Sequence, residues 1–167
     1  MCVHSGIVKL KTAEKLGLTG IVGRACGIKY DVRYSFPYES YKDIKKDIHI
    51  ESLGGVFERY KLKTEEIRDS INFIEMLTNK IDKVKRHRPE LALPTDKEAL
   101  VSVETVKGEL IVYGKTAKDS KRFDRVYFRT PSFINWEGLA YAVLGEIVPD
   151  FPLCNKSFNM SYSENDR

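Results

Sequence analysis

The chain has 167 residues, a mass of 19.2 kDa and a formal net charge of +4 from 28 basic and 24 acidic residues. This length allows one domain with a hydrophobic core, and the nearly balanced charge argues against a dedicated nucleic-acid-binding protein. No apolar run approaches the ~20 residues that cross a bilayer, and no signal peptide is indicated. We therefore expect a cytoplasmic chain whose membrane contacts come from other subunits.

The first part of the chain is predicted to contain a short helix and an irregular segment. Residues 11–18 indicate a helix that is capped by Thr12 and ended by Gly17. Residues 20–50 contain three glycines and many aromatic residues without the periodicity of a long element. We therefore expect an ordered irregular segment whose aromatic side chains pack against another surface.

Residues 54–84 are predicted to form one long amphipathic helix. Apolar residues recur there at spacings of three and four, and charged residues occupy the other face. The apolar positions include Ile67, Ile71, Ile74, Leu77, Ile81 and Val84, and the charged positions include Glu65, Glu66, Arg68, Asp69, Asp82 and Lys83. About thirty residues at ~1.5 Å each give a rod of about 45 Å. Such a helix is expected to be covered inside a larger assembly, with a helical hairpin as the alternative.

A linker at residues 89–96 is predicted to lead into a small β-meander. Residues 99–105 and 109–113 are rich in β-branched side chains, with a turn at residues 106–108 between them, and residues 122–129 alternate as a third strand. Short strands that follow one another in this way predict antiparallel pairing.

The last part of the chain is predicted to be a helix and an extended tail. Residues 131–144 indicate a helix with Ser132 or Asn135 near its start, and the proline-containing residues 149–152 begin the extended stretch. The predicted fold class is therefore α+β, with long helices packed against the small antiparallel meander.

The cysteines and histidines do not predict a metal site. The sequence contains three cysteines, Cys2, Cys26 and Cys154. They are far apart and never in C-x-x-C spacing, so the sequence suggests neither a disulfide framework nor a zinc site. The three histidines share no spacing that would direct them to one ion. We expect unreactive thiols and no metal on this chain.

Five segments resemble a single family in the same order along the chain. LGLTGIVGRACG at residues 16–27 is similar to the family pattern L-G-x-T-G-x-x-x-R-A-S-G, and EEIRDS at residues 65–70 stands where relatives carry R-x-x-E-M-x-x-S. ETVKGEL at residues 104–110 resembles E-A-P-R/K-G-E-L, and RTPSF at residues 129–133 resembles R-A-P-S-F. The family comprises the complex I 49-kDa-type subunit and the large subunits of energy-converting nickel–iron hydrogenases.

The fifth segment is the tail, SFNMSYSENDR at residues 157–167, which resembles the hydrogenase ending D-P-C-x-x-C-x-x-H/R. Ser161 and Glu164 stand at the positions of the two metal-binding cysteines. A metal that is held by four thiolates does not keep its site when a hydroxyl and a carboxylate replace two of them. The resemblance therefore implies a cysteine-less variant without nickel, which transfers electrons and protons to quinone or another acceptor.

The resemblance makes Lys107 and Glu164 the catalytic candidates. Lys107 corresponds to an arginine close to the metal in hydrogenases and to a lysine in complex I relatives, and a cation on this tight turn biases the charge in a neighbouring cavity. An exposed turn lysine is the alternative. Glu164 would transfer protons if burial raised its pKa, and a carboxylate that caps a turn in water is the alternative.

Five further charged residues are expected to have structural or interface roles. Arg24, Asp31 and Arg33 form a charged set in which guanidinium–carboxylate pairing fixes the surrounding segment, in preference to direct chemistry. Asp166 and Arg167 retain the Asp-Arg ending of the family and are expected to anchor the tail.

The resemblance covers only the C-terminal portion of the family's large subunit. Within it, residues 1–88 supply the irregular segment and the long helix, and residues 97–167 supply the meander, the helix and the tail of one unit. The implied partners are an iron–sulfur subunit, the N-terminal portion of the large subunit and membrane subunits. Quinone and iron–sulfur clusters are implied for the parent complex, with no cofactor on this chain, and the implied location is the cytoplasmic face of a membrane.

Two classes of function remain from the sequence. The leading hypothesis is a subunit of a respiratory NADH:quinone oxidoreductase-like or hydrogenase-like complex, in which electron transfer is coupled to ion translocation and the isolated chain is inactive. The alternative is a non-catalytic assembly module, for which changes on the Ile67 to Val84 face disrupt complex formation. A nucleic-acid binder that uses residues 83–88 is disfavoured by the nearly balanced charge.

Overall fold

The computed structural model describes residues 4–43, 47–81, 93–119 and 122–165. The helices are α1 (Leu10–Leu16), α2 (Gly20–Ala25), α3 (Val32–Ser35), α4 (Val56–Thr78), α5 (Pro131–Ala142) and α6 (Phe151–Phe158). The strands are β1 (Glu98–Thr105), β2 (Gly108–Thr116) and β3 (Phe123–Arg129). Short 3₁₀ turns lie at Glu39–Asp43, Val148–Asp150 and Tyr162–Glu164. The predicted α+β class, with helices beside a three-stranded meander, is confirmed.

The three strands form an antiparallel sheet in the order β1-β2-β3. Val101 pairs with Val112, and Val112 pairs with Phe128. The turn between β1 and β2 is closed by the Thr105 hydroxyl, which donates to the Gly108 carbonyl at 2.8 Å. Gly108 has a φ of 131°, a conformation that glycine adopts most readily. The predicted meander and its turn at residues 106–108 are confirmed.

Short helices replace two segments that were predicted to lack them. Residues 20–50, predicted to be irregular, contain α2, α3 and a 3₁₀ turn, and the predicted extended stretch contains α6. These helices have only six, four and eight residues, which is too short for a helical period to be visible in the sequence. Pro152 lies in the first turn of α6, where its missing N–H costs nothing.

The predicted cap of α1 was wrong, whereas the predicted start of α5 was confirmed. Helix α1 begins after Lys9, so Thr12 lies inside it, and Gly17 ends it with a φ of 66° as predicted. Helix α5 is capped by Thr130, whose side chain accepts a hydrogen bond from the Phe133 N–H. Ser132 is the second residue of α5 and so lies near its start as predicted, and both Ser132 and Asn135 are buried in this helix.

Helix α4 has 23 residues, fewer than predicted, and the orientation of its faces is the reverse of the usual one. The isoleucines are exposed, at 62% for Ile67, 53% for Ile71 and 60% for Ile74. Glu66 on the charged face contacts Arg24, and Asp69 contacts His49. Glu66 and Asp69 therefore face the body of the chain, where Arg24 and His49 provide their partners, whereas Arg68 is exposed. Val84, Asp82 and Lys83 lie outside the described residues.

The hydrophobic core joins the beginning and the end of the chain. It consists of Val8, Ala13, Leu18, Val22, Cys26, Val56, Leu139, Ala142, Cys154 and Phe158. Cys26 and Cys154 are free thiols within this core, and burial raises the pKa of Cys26 to about 11. No helix within the described ranges combines the length and the apolar character that a bilayer crossing requires.

Arg59 of α4 is buried beside this core and has neutral partners. Its guanidinium donates to the carbonyls of Gly6 at 2.9 Å and Gly54 at 2.8 Å, and to the Ser157 hydroxyl at 2.9 Å. The Phe158 ring centroid lies 4.4 Å from the guanidinium carbon. Burial lowers the pKa of Arg59 to about 10. This one side chain ties the N-terminal loop, the start of α4 and helix α6 together.

Candidate functional site

The β1–β2 turn meets the tail of the chain at an ion pair. Lys107 Nζ lies 2.9 Å from Glu164 Oε1, and the two side chains are about one quarter exposed, at 24% and 28%. The structure thus brings together the two residues that were named as catalytic candidates. Val106, which stands where the family has proline, does not prevent the tight turn.

The turn is seated directly on the start of helix α2. A Cβ atom on Gly20 would lie 2.4 Å from Gly108 Cα, so the two backbones can approach only because both residues are glycines. The Glu109 N–H donates to the Thr19 hydroxyl at 3.1 Å. Residues 16–27 and residues 104–110, two of the five segments identified from the sequence, therefore form one contact.

The first turn of α5 holds the tail. The Ser132 hydroxyl accepts a hydrogen bond from the Ser161 N–H at 3.0 Å, and the Thr130 hydroxyl donates to the Glu164 carbonyl at 3.2 Å. Ser161 Oγ lies 3.0 Å from Ser163 Oγ. The two positions that correspond to cysteines thus lie on a tail that is fixed against the RTPSF segment.

The pKa of Glu164 lies below its ordinary value of 4.5. Burial raises the pKa, but hydrogen bonds from Ser132 and Lys107 and the charge of Lys107 outweigh burial. Proton transfer by Glu164 was expected only if its pKa were raised, and the pKa is lowered instead. Glu164 is an anion at neutral pH, held by a cation, so the pair acts as a fixed dipole rather than as a neutral carboxylic acid.

These residues do not fit a nickel site of the hydrogenase kind. The side chains at the two cysteine positions are a serine hydroxyl and a carboxylate that is already paired with Lys107. Neither is the soft thiolate donor that such a centre requires. Within the described residues, no group of three or more His, Cys, Asp or Glu side chains is arranged to hold a metal ion.

A second cluster surrounds Arg24, which is 2% exposed. Arg24 Nη1 lies 3.0 Å from Glu104 Oε1 and 3.3 Å from Asp31 Oδ2, and Nη2 contacts Glu66. Arg33 Nε donates to Asp31 Oδ1 at 2.9 Å. The structure therefore brings together Arg24, Asp31 and Arg33, and it adds Glu66 and Glu104, which sequence reasoning had not assigned to this set.

Charge in this cluster is compensated by neighbours from three segments. Burial lowers the pKa of Arg24, but the charges of Glu66, Glu104 and Asp31 outweigh it, so the net shift is upward. Burial raises the pKa of Glu104, against the opposing effect of Arg24. Two guanidinium groups thus face three carboxylates, and the cluster has one more carboxylate than cations.

A cleft of about 220 Å³ opens beside this cluster, between α3 and α4. His49 Nε2 lies 2.8 Å from Asp69 Oδ2 at its wall, and the Tyr41 and Phe73 rings stack with centroids 5.1 Å apart. The tyrosine-rich segment therefore packs against α4, as expected for aromatic side chains. No spacing in the sequence indicated the His49–Asp69 contact, because the two residues are brought together only by the fold.

Two sequence-predicted site residues, Asp166 and Arg167, lie outside the described residues. The residues that sequence reasoning missed are Glu66, Glu104, Ser132 and Asn135 as partners of the named ones. Glu66, Glu104 and Ser132 stand inside the matched segments, so membership of these segments was the sequence signal that could have found them. Asn135 stands two residues beyond one of them.

The fold and the contacts among the matched segments define a subunit of the complex I 49-kDa type, of which this chain covers a part. The chain matches the family "Respiratory-chain NADH dehydrogenase, 49 Kd subunit" over residues 2–100 and 85–167, and it belongs to this family.

Relatives in bacteria support this assignment. NADH-quinone oxidoreductase subunit 4 of Thermus thermophilus is 30% identical over 97% of this chain and 46% of its own length. An NADH-quinone oxidoreductase subunit of Chloroflexus aurantiacus is 29% identical over 99% of this chain and 47% of its own length. The chain thus spans about half the length of these relatives.

A solved structure shows the same fold. A chain of the membrane-bound sulfane sulfur reductase, described as an archaeal respiratory membrane complex, superposes with a TM-score of 0.88 at 26% identity. The match covers 99% of this chain and 47% of that chain.

Proposed function

We propose that this chain supplies the C-terminal portion of the large subunit in a membrane-associated respiratory complex, where it takes part in electron transfer coupled to ion translocation. Its partners are an iron–sulfur subunit, the remaining portion of the large subunit and membrane subunits, and it associates peripherally on the cytoplasmic face. The family match and the names of the relatives support this proposal.

The observation that carries the proposal is the Lys107–Glu164 pair, 2.9 Å apart. The resemblance to hydrogenases assigns Glu164 to a position of a metal-binding cysteine. Lys107 stabilises negative charge that develops on an acceptor as electrons arrive, and Glu164 holds the ammonium group in place. Glu164 is ionised and paired with the Lys107 ammonium, so its role in this proposal is electrostatic and it donates no proton. Nickel has no role in this chemistry.

We propose quinone as the acceptor because the relatives from Thermus and Chloroflexus are named as NADH-quinone oxidoreductase subunits. A sulfur compound is the competing acceptor, because the complex with the same fold is named a sulfane sulfur reductase. Both acceptors gain electrons and protons at a site without nickel. Turnover of the purified complex with each acceptor distinguishes them.

The test is turnover of the assembled complex that contains Lys107→Ala. We expect kcat to fall by about 10²-fold, the magnitude typical for removal of one electrostatic stabiliser, and Lys118→Ala, an exposed lysine beyond the same hairpin, to leave kcat unchanged. Unchanged kcat in Lys107→Ala, or stoichiometric nickel in the purified complex, would contradict the proposal.

A non-catalytic assembly role is the second candidate, and the exposed isoleucines of α4 favour it. Three large aliphatic side chains on one helix face are expected to be covered in the complex. Under this candidate, Ile71→Ser abolishes co-purification of the complex, whereas Lys107→Ala leaves turnover intact. Loss of turnover in Lys107→Ala with normal co-purification excludes it as the sole function.

A further inference from the structure

Asn135 lies where the Lys107 turn, the start of α2 and helix α5 meet. Its side chain is 1% exposed. Its Oδ1 accepts a hydrogen bond from the Thr19 N–H at 3.0 Å, and its Nδ2 donates to the carbonyls of Thr19 at 3.1 Å and Lys107 at 3.4 Å. A primary amide offers an acceptor and two donor hydrogens in one plane, which is what these three contacts require.

The Lys107 turn has few other attachments to the rest of the chain. The contact between Gly20 and Gly108 involves backbone atoms only, because neither residue has a side chain. The Thr19 hydroxyl accepts from the Glu109 N–H, which follows the turn rather than forming its tip. Asn135 is therefore the side chain that joins the Lys107 backbone to helix α5.

Helix α5 also holds the other member of the pair. Ser132 and Thr130 bind the tail at the Ser161 N–H and the Glu164 carbonyl. Residues 130–135 thus connect to Lys107 on one side and to Glu164 on the other. Because these residues belong to one helix and its cap, the backbones that carry the two charged side chains are attached to the same element.

We infer that Asn135 is a positioning residue that fixes the Lys107 turn relative to Glu164. This inference deepens the proposed function and rests on it for any effect on turnover. The placement itself depends only on the contacts described above. Loss of the Asn135 amide removes the partner of the Lys107 carbonyl and of the Thr19 N–H, and it leaves the Thr19 carbonyl with the Gly23 N–H at 3.4 Å. The turn then moves and the Lys107–Glu164 distance increases.

The test uses the full chain with Asn135→Ala and follows two NMR signals. The Glu164 carboxyl is expected to titrate closer to its ordinary value of 4.5 than in the wild type, because Lys107 no longer lies against it. The Thr19 amide is expected to exchange with solvent on the order of tenfold faster, because its acceptor is lost. Far-UV circular dichroism verifies that the helices remain.

Thr116→Ala is the matched control. Thr116 is buried at the opposite end of the β1–β2 hairpin, and its hydroxyl bonds both the N–H and the carbonyl of Lys97. The variant removes two partly buried hydrogen bonds from the same hairpin without touching the Lys107 turn. We expect the Glu164 titration and the Thr19 exchange rate to stay at their wild-type values. The same change in both variants would overturn the inference.

Asn135→Asp provides a second variant that keeps the shape of the side chain. Its carboxylate still accepts from the Thr19 N–H, but it repels the two carbonyls at neutral pH, and a protonated carboxyl donates to one of them. We expect the protection of the Thr19 amide, its exchange rate relative to that of an unfolded amide at the same pH, to rise in part as the new carboxyl is protonated, because the repulsion of the two carbonyls is then relieved. A folded Asn135→Ala with an unchanged Glu164 titration, or an Asn135→Asp without this acid-dependent recovery, would overturn the inference.

Turnover separates this inference from the proposed function. If Lys107→Ala leaves turnover of the complex intact, the proposed role of the pair fails while the NMR result for Asn135 stands. If Asn135→Ala leaves the Glu164 titration unchanged, the positioning role fails whatever the turnover of Lys107→Ala.

Discussion

Arg24 and Arg59 are buried to the same extent, at 2% and 0% exposed, in opposite electrostatic surroundings. Arg24 has three carboxylate partners, whereas Arg59 bonds two carbonyls and a hydroxyl and lies against a ring. Burial lowers the pKa of both groups. Carboxylates reverse the net shift for Arg24, and the pKa of Arg59 falls to about 10.

An arginine thus stabilises each of these two regions, with carboxylate partners around Arg24 and neutral partners around Arg59. The carboxylates around Arg24 neutralise its charge but also repel one another, so their balance depends on protonation. The carbonyls and the hydroxyl around Arg59 do not titrate near neutral pH. The Arg24 region is therefore expected to respond to pH, and the Arg59 region is not.

The largest effect is expected for Arg24→Met, which leaves three buried carboxylates without their central cation. We expect the free energy of unfolding to fall by about 4 kcal/mol at pH 7. This loss should become smaller as the pH falls towards 5, because protonation relieves the repulsion. Urea denaturation at several pH values measures it, and a loss that does not vary with pH would break the comparison.

Arg59→Met is expected to cost about 3 kcal/mol, because three buried acceptors each lose a hydrogen bond worth ~1 kcal/mol. No titrating partner is involved, so the same loss is expected at pH 5 and pH 8. Arg68→Met, at an exposed position of the same helix, serves as the control and should change stability by less than about 0.5 kcal/mol. A strongly pH-dependent loss in Arg59→Met would show that an ionised group compensates Arg59.

Glu104→Gln tests the excess carboxylate of the Arg24 region. Burial raises the folded-state pKa of Glu104 above its ordinary 4.5, so its contribution to stability is full below 4.5 and is lost as the pH rises through the raised pKa. Glutamine resembles the protonated carboxyl, so we expect a change of less than about 1 kcal/mol at pH 7. The wild type should gain stability relative to this variant on acidification, and the opposite trend would refute the raised pKa.

Glu164→Gln is expected to have the smallest effect on stability, at most about 0.5 kcal/mol at pH 7, because the pair with Lys107 is partly exposed and screened by solvent. The pKa of Glu164 is lowered, so its contribution is present above 4.5 and is lost as the pH falls through the folded-state pKa. Denaturation between pH 3 and pH 6 measures this. The contribution of Glu164 to stability is therefore lost on acidification, whereas that of Glu104 is gained.

The strands and the long helix were predictable because their patterns extend over seven or more residues. The meander, its turn and the existence of α4 follow from such patterns. Helices α2, α3 and α6 were missed because they are too short to show a period. Their positions depend on contacts such as the Gly20–Gly108 approach, which no local pattern contains.

The orientation of α4 shows what periodicity leaves open. The pattern of isoleucines and charged residues marks two faces, and burial of the apolar face is the usual outcome. Here the charged face turns inwards because Glu66 and Asp69 find partners in Arg24 and His49. The apolar face remains exposed on the described chain, which agrees with the expectation that a larger assembly covers this helix.

The sequence by itself determined the family and the order of the five matched segments. The proposed correspondence of Ser161 and Glu164 to metal-binding cysteines also comes from the sequence alone. Only the tertiary structure decided that Lys107 pairs with Glu164, 57 positions away, and that Arg24 collects carboxylates from three segments. The reason is physical. Residue identity specifies which charges and hydrogen-bonding groups are present, but their energies depend on distance and burial, which the folded chain alone sets.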